Sequence, residues 1–220
     1  KRFGHVVENF YPVGSFRLGL FNKYFQKNTD KIYDIAIVSE YRPYIIQNQN
    51  ELPKNLSIRQ RINAKVHKML AKYITKRRYK ACILLVNFDV EQEVIYFDNF
   101  YKGYADYLRN DRAKFTTYQA VLNSKAIVGF SSTLITEAVG LNKKILRISF
   151  SEADQINDYD PMILIKNPSY EELEIRLDQL LAEDYDSYLD RVKKYSSYLM
   201  NYNPDMPPHA FIRQKIEGYL

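Results

Sequence analysis

Ala126–Phe150, AIVGFSSTLITEAVGLNKKILRISF, is the stretch from which the rest of the chain can be read. Ala126 to Phe130 is an apolar run of strand length, and Gly129 suits a tight turn at its end. Ser131, Ser132 and Thr133 stand where a helix should begin, and serine and threonine are good N-caps. Leu134, Ala138 and Leu141 form one apolar line, flanked by Ile135 and Val139. Thr133, Glu137 and Gly140 fall on another line, because residues three and four apart share a helix face. Gly140 and Asn142 end the helix, and Lys143 and Lys144 suit its negative end. Ile145 to Ile148 then reads as a second buried strand.

Two readings of this unit stand side by side. The amides and positive dipole end of a helix favour an anion, and hydroxyls add donors without bulk, so Ser131–Thr133 could seat a phosphate. Glu137 lies one turn further on, too deep for a capping box. An acid on an otherwise apolar helix needs a partner, and sugar hydroxyls would serve. Alternatively, the serines only cap the helix and Glu137 makes a salt bridge.

Working outward, the same alternation recurs. Ile32–Val38 is a buried strand ending in the polar loop Ser39-Glu40-Tyr41-Arg42-Pro43. In open α/β sheets the carboxyl ends of strands are where ligands bind, which makes Ser39 and Arg42 candidates, although a lone arginine is also an ordinary surface charge. Ser57 caps a predicted helix to about Tyr79, with Ile58, Ile62, Val66, Met69, Leu70, Tyr73 and Ile74 inward and His67 at the stripe's boundary. Ala81–Phe88 is the next strand, with Asn87 at its carboxyl end. Val94–Phe97 reads as a short strand. Thr116 or Thr117 caps a helix through Leu122, which leads into the central strand.

Met162–Ile165 is a last short strand. Ser169 with Glu172 forms a capping box for a helix with Leu173, Leu177, Leu180 and Leu181 inward. Tyr185–Leu199 and about His209–Tyr219 are further helices, with His209 at a turn. Near the start, Pro12 and Gly14 mark a turn followed by Ser15 and Arg17. Alternation of this kind predicts an α/β, Rossmann-like, mainly parallel sheet with helices on both faces and a helical C-terminal tail. The expected divisions are an arm or interdomain linker over 1–30, a nucleotide-binding domain over 31–168, and closing helices over 169–220 that pack on it.

Composition narrows the function. The chain has 220 residues, 46% of them hydrophobic, enough for a sizeable core. Net charge is +6 and the isoelectric point is about 9.1, which favours acidic partners. The excess is diffuse apart from Lys76, Arg77, Arg78 and Lys80, and no nucleic-acid motif accompanies it, so nucleic acid is not an expected partner. The single cysteine, Cys82, lies in the apolar run ACILLV, so no internal disulfide can form and a reducing, cytoplasmic setting is expected. No apolar stretch reaches membrane-spanning length. There is no Walker A, GxGxxG, CxxC, HExxH or GxSxG pattern, and three histidines with one cysteine give no metal-ligand spacing. A bound anion is better supported than a metal site or covalent catalysis, and no cofactor is expected.

VGFSSTLITEAVGLNKKIL resembles the donor-binding motif of GT-B glycosyltransferases, particularly those of bacterial capsule and lipopolysaccharide synthesis, including enzymes that use a CMP-activated acidic sugar such as Kdo. PVGSFR is similar to their interdomain passage and YDIAIVSEYR to the first strand of their C-terminal half. The resemblance implies one half of a GT-B fold. In it Ser131, Ser132 and Thr133 would contact the donor phosphate and Glu137 its sugar or ribose hydroxyls. Gly14, Ser15, Arg17, Ser39, Arg42, Asn87 and Lys114 would supplement the site. It further implies a nucleotide-sugar donor, a glycan acceptor that is lipid-linked or free, an N-terminal half beyond this chain, and contact with the cytoplasmic face of the inner membrane. The family's pair of glutamates seven residues apart is absent here. Sugar-nucleotide epimerases and glycerophosphotransferases share the layout, and a non-catalytic nucleotide-binding domain would as well.

Overall fold

The computed structural model describes residues 13–25, 32–41, 58–86, 90–149, 163–200 and 202–218. Its centre is a six-stranded sheet in the order β3-β2-β1-β4-β5-β6, with every neighbouring pair parallel. The strands are β1 (Tyr33–Val38), β2 (Ala81–Leu84), β3 (Ala105–Leu108), β4 (Ser124–Gly129), β5 (Lys144–Ser149) and β6 (Leu164–Lys166). The inner strands are near-continuous apolar runs because both of their faces are covered: Ile35, Ile37, Ile83, Ile127, Val128 and Ile145 are fully buried.

The helices are α1 (Phe16–Tyr24), α2 (Ile58–Arg77), α3 (Val90–Tyr101), α4 (Thr116–Leu122), α5 (Thr133–Gly140), α6 (Tyr170–Ala182), α7 (Tyr185–Leu199) and α8 (Pro208–Glu217). From β1 the chain grows outward through α2 and α3 to β3. It then crosses back through α4 to β4 and grows the other way through α5 to β5. Parallel crossovers are right-handed, so reversing the direction of growth puts α2 and α3 on one face and α4 and α5 on the other. The packing agrees: α2 touches α3 and α6, whereas α5 touches α7. The helix α1 joins the second layer, with the Phe21 ring packed at a tilt against those of Phe115 and Tyr118, and lies against α8, where Gly19 admits Pro207 and Pro208.

Several expectations are corrected. Val94–Phe97 is not a strand but the middle of α3. Its apolar residues continue at helical spacing, with Tyr96, Phe97 and Tyr101 buried and Val90, Val94 and Phe100 partly so, and that longer period overrides the short apolar run. The missing strand is β3, in the aromatic stretch that follows. The N-cap of α4 is Phe115, in the left-handed region at φ 51°, rather than Thr116 or Thr117. The Thr116 hydroxyl instead donates to the Arg109 carbonyl and accepts from the Asp111 amide.

On α5 the line facing the core is Ile135, Ala138 and Leu141, with Leu134 beside it. The ammonium groups of Lys143 and Lys144 reach the ends of α4 and α6. Lys143 Nζ donates to the carbonyls of Leu122, the last residue of α4, and of Ser124. Lys144 Nζ donates to those of Leu181 and Glu183 at the end of α6. Both therefore meet unpaired carbonyls at the negative end of a helix dipole. The capping box of α6 forms as expected, Ser169 Oγ accepting from the Glu172 amide at 3.1 Å and Glu172 Oε2 from the Ser169 amide at 2.8 Å. Ser57 lies outside the described residues.

His67 is a core residue rather than a boundary one, 2% exposed among the rings of Tyr96, Phe97, Phe100, Tyr101 and Phe130. Its Nδ1 is 2.9 Å from the Tyr101 hydroxyl. Burial lowers its pKa to about 3, so the folded protein holds it neutral. Burial likewise pushes the Cys82 thiol up to about 12, leaving an inert core side chain.

An unfolded histidine binds its proton near pH 6.5, so the unfolded chain takes up a proton that the folded one refuses. The resulting stability is complete above that pH and is lost as pH falls toward 3. Between pH 7.5 and pH 5 the wild-type protein should lose about 2 kcal/mol more in urea unfolding than a His67→Phe variant. Equal losses would show that His67 is protonated in the fold.

Candidate functional site

The sheet order reverses between β1 and β4, and in doubly wound sheets the carboxyl edge at such a switch point leaves a crevice. A cleft of about 240 Å³ opens there. Val38 of β1 and Leu84 of β2 form its floor, Ser132, Thr133 and Glu137 of the α5 region one wall, Tyr118 of α4 another, and Arg17 and Arg112 its rim.

The turn from β4 into α5 is held from several sides. Gly129 allows the close approach: a Cβ there would stand 2.6 Å from Ile135 Cδ1 and 3.2 Å from Val38 Cβ. Arg147 Nε donates to the Phe130 carbonyl at 3.0 Å. The Ser131 amide and hydroxyl both donate to Glu40 Oε1, the hydroxyl at 2.9 Å. Ser132 is the N-cap of α5, its Oγ accepting from the Leu134 amide at 3.3 Å. Among the described residues, the amides of Ser132 and Thr133 make no hydrogen bond. They are the open donors at the positive end of the helix.

Glu137 is half-buried and makes hydrogen bonds rather than a salt bridge. Ser15 Oγ donates to its Oε1 at 2.5 Å and Tyr118 Oη to its Oε2 at 2.8 Å. Burial first, and then the Glu137 charge, push the Tyr118 phenol far above its ordinary range, so it remains a donor. Ser15 also caps α1, accepting from the Leu18 amide at 3.2 Å. Gly14 before it sits at φ 75°, in the left-handed region that glycine tolerates. One serine thus ties the start of α1 to α5. Two residues on, the Arg17 guanidinium lies 5.3 Å from the Phe115 ring centre and 5.9 Å from that of Tyr118.

Of the residues picked from sequence, Ser132, Thr133, Glu137 and Arg17 line the cleft. Ser131 stands beside it, engaged by Glu40, and Ser15 touches it through Glu137. Ser39 is an internal tie: 1% exposed, it donates to Glu93 and accepts from the Tyr41 amide at 3.1 Å. Lys114 is exposed near Asp111 at 3.8 Å, away from the lining. Arg42 and Asn87 lie outside the described residues.

The structure adds Tyr118, Arg112, Glu40 and Glu93. Glu93, fully buried on α3, accepts from Ser39 Oγ and from the Val86 amide at 3.0 Å, pinning the ends of β1 and β2 together. Its signal was present in the sequence, an acid in line with Tyr96 and Phe97, once the segment is read as helical.

No family model and no curated protein matches the chain. Solved structures with a similar layout include TarM and the wall teichoic acid polymerase TagF. For TarM the TM-score is 0.45 and the identity 12%, over 86% of this chain and 36% of TarM. For TagF the values are 0.41 and 15%, over 91% of this chain and 48% of TagF. The chain thus spans less than half the length of either.

If Ser15 and Tyr118 act on stability through one carboxylate, Ser15→Ala and Tyr118→Phe should each cost about 1–2 kcal/mol in urea unfolding, with a double variant departing from additivity by about 0.5 kcal/mol or more. Strict additivity would mean that the two contacts are independent. Gly129→Val should cost about 2 kcal/mol by overpacking Val38 and Ile135; an unchanged melting temperature would contradict the close approach.

Proposed function

We propose that this chain is the donor-binding half of a GT-B glycosyltransferase and that its cleft takes the diphosphate of a nucleotide-sugar. The observation that carries the reading is the convergence of four things on one crevice at the switch point: the open amides of Ser132 and Thr133, their hydroxyls, and the side chains of Arg17 and Arg112. Anions bind where helix amides and cations face a cleft, and two arginines give the planar donors that suit phosphate oxygens. The resemblance of VGFSSTLITEAVGLNKKIL to the donor motif of that family supports the same reading.

In this function the residues act by electrostatics. The α5 dipole, the Ser132 and Thr133 donors and the arginines would stabilise charge growing on the leaving phosphate as the glycosidic bond to it breaks. Glu137, held by Ser15 and Tyr118, would turn toward the ribose or sugar hydroxyls at the cleft's inner wall. The acceptor, a surface glycan of bacterial envelope synthesis, and the group that deprotonates it would be supplied by a further domain. The reaction would run in the cytoplasm, with the protein peripheral to the membrane. Among the described residues no helix is long and apolar enough to cross one.

Calorimetric titration of UDP, CDP, GDP and CMP tests this. At least one should bind, Arg17→Met should weaken it about tenfold or more, and Ser132→Leu should abolish it while losing only the N-cap contribution to stability, about 1 kcal/mol in urea unfolding. Absence of binding by the wild-type chain, or wild-type affinity in both variants, would refute the assignment.

A further inference from the structure

We infer that the Glu40 carboxylate is a built-in competitor for the anion site beside α5, so that a phosphate entering the cleft must displace it or bind against its charge. The inference rests on the reading of the cleft as a phosphate site. Glu40 follows β1 by two residues and reaches across the switch point to the turn after β4, where its Oε1 takes both the amide and the hydroxyl of Ser131. A phosphate oxygen would use that same pair of donors, and a carboxylate imitates it in charge and in acceptor geometry.

The contact lies one residue from Ser132, which lines the cleft, and Ser131 is itself exposed. The remaining walls show a contrast. Glu137 is also acidic, but its two oxygens face the Ser15 and Tyr118 hydroxyls deeper in the cleft. Glu93 is sealed under Ser39 and the Val86 amide. Glu40 is the carboxylate joined to the turn that opens α5, next to the cleft-lining Ser132. It fixes the backbone of that turn through the Ser131 amide and hydroxyl. The cost is affinity, since a second anion arriving there meets a resident negative charge. Glu40 would therefore favour a ligand with several contacts, such as a nucleoside diphosphate, over a small inorganic anion.

The test is a calorimetric titration of inorganic pyrophosphate and UDP into the wild-type chain, Glu40→Gln, and Glu171→Gln. The last variant changes an exposed acid on the first turn of α6 and controls for net charge. Glu40→Gln should tighten pyrophosphate about fivefold or more, and UDP by less, with Glu171→Gln unchanged. Equal or weaker binding by Glu40→Gln, or the same gain in both variants, overturns the inference while leaving the cleft assignment intact. No binding of either ligand to any of the three proteins removes the cleft assignment as well.

Should Glu40→Gln fail to fold, the wild-type chain supplies the answer by NMR. The Glu40 carboxyl carbon and the Ser131 amide should shift with the same midpoint as pyrophosphate is added. A Glu40 carboxyl unmoved at saturation overturns the inference.

Discussion

The parallel pairing of β1 with β4 is the constraint on which the rest of the structure depends. Ile35 stands opposite Ala126 and Ile37 opposite Val128, so the two strands end side by side and their following loops leave the sheet at one level. Because the chain grows away from this pair in both directions, the segments that follow the two strands part and leave a crevice at that edge. Every group at the cleft is placed by the consequence. Glu40 can reach Ser131, Gly129 can be met by Val38, and Thr133 opens its helix beside Leu84 only because these two strands are neighbours.

The carboxyl edge handles its acids in a consistent way. Three glutamates there, Glu40, Glu93 and Glu137, each accept from a serine: Ser131, Ser39 and Ser15. A serine hydroxyl donates to a carboxylate oxygen without bringing a charge of its own. Each pair joins segments far apart in the chain, β1 to α3, β1 to the α5 turn, and α1 to α5. The polar contacts therefore lock the tertiary arrangement while the apolar strands supply the bulk of the burial.

Much of this was legible in the sequence. The α5 unit, the strands around it and the capping box at Ser169 follow from local patterns, namely apolar runs of strand length, hydroxyls at helix starts and an acid three residues on. Where local and longer periods conflicted, the local reading failed: VIYF alternates with nothing and resembles a strand, yet Val90, Phe97 and Tyr101 place it on a helix. The partners of the site residues were not legible, because they are contacts across long separations. Nothing near Glu137 in sequence announces Ser15, and Tyr118 is one of 20 tyrosines. The same holds for Glu40, which the sequence places at the right edge of the sheet but not against a particular amide. His67 was misjudged for a related reason, since the rings that enclose it come from α3 and from the β4 turn.

Lys143 and Lys144 are consecutive, and neighbouring residues of an extended chain project to opposite faces. One reaches the last carbonyls of α4 and the next those of α6, so a dipeptide at the root of β5 touches both helical layers at once. Were β5 to slide along β4 by a single position, each ammonium would be carried to the wrong side of the sheet. Both helix ends would lose their counter-charge together, and a buried cation would be stranded. The pair thus acts as a two-sided check on strand alignment, rejecting the off-by-one arrangement that a run of apolar side chains alone would tolerate.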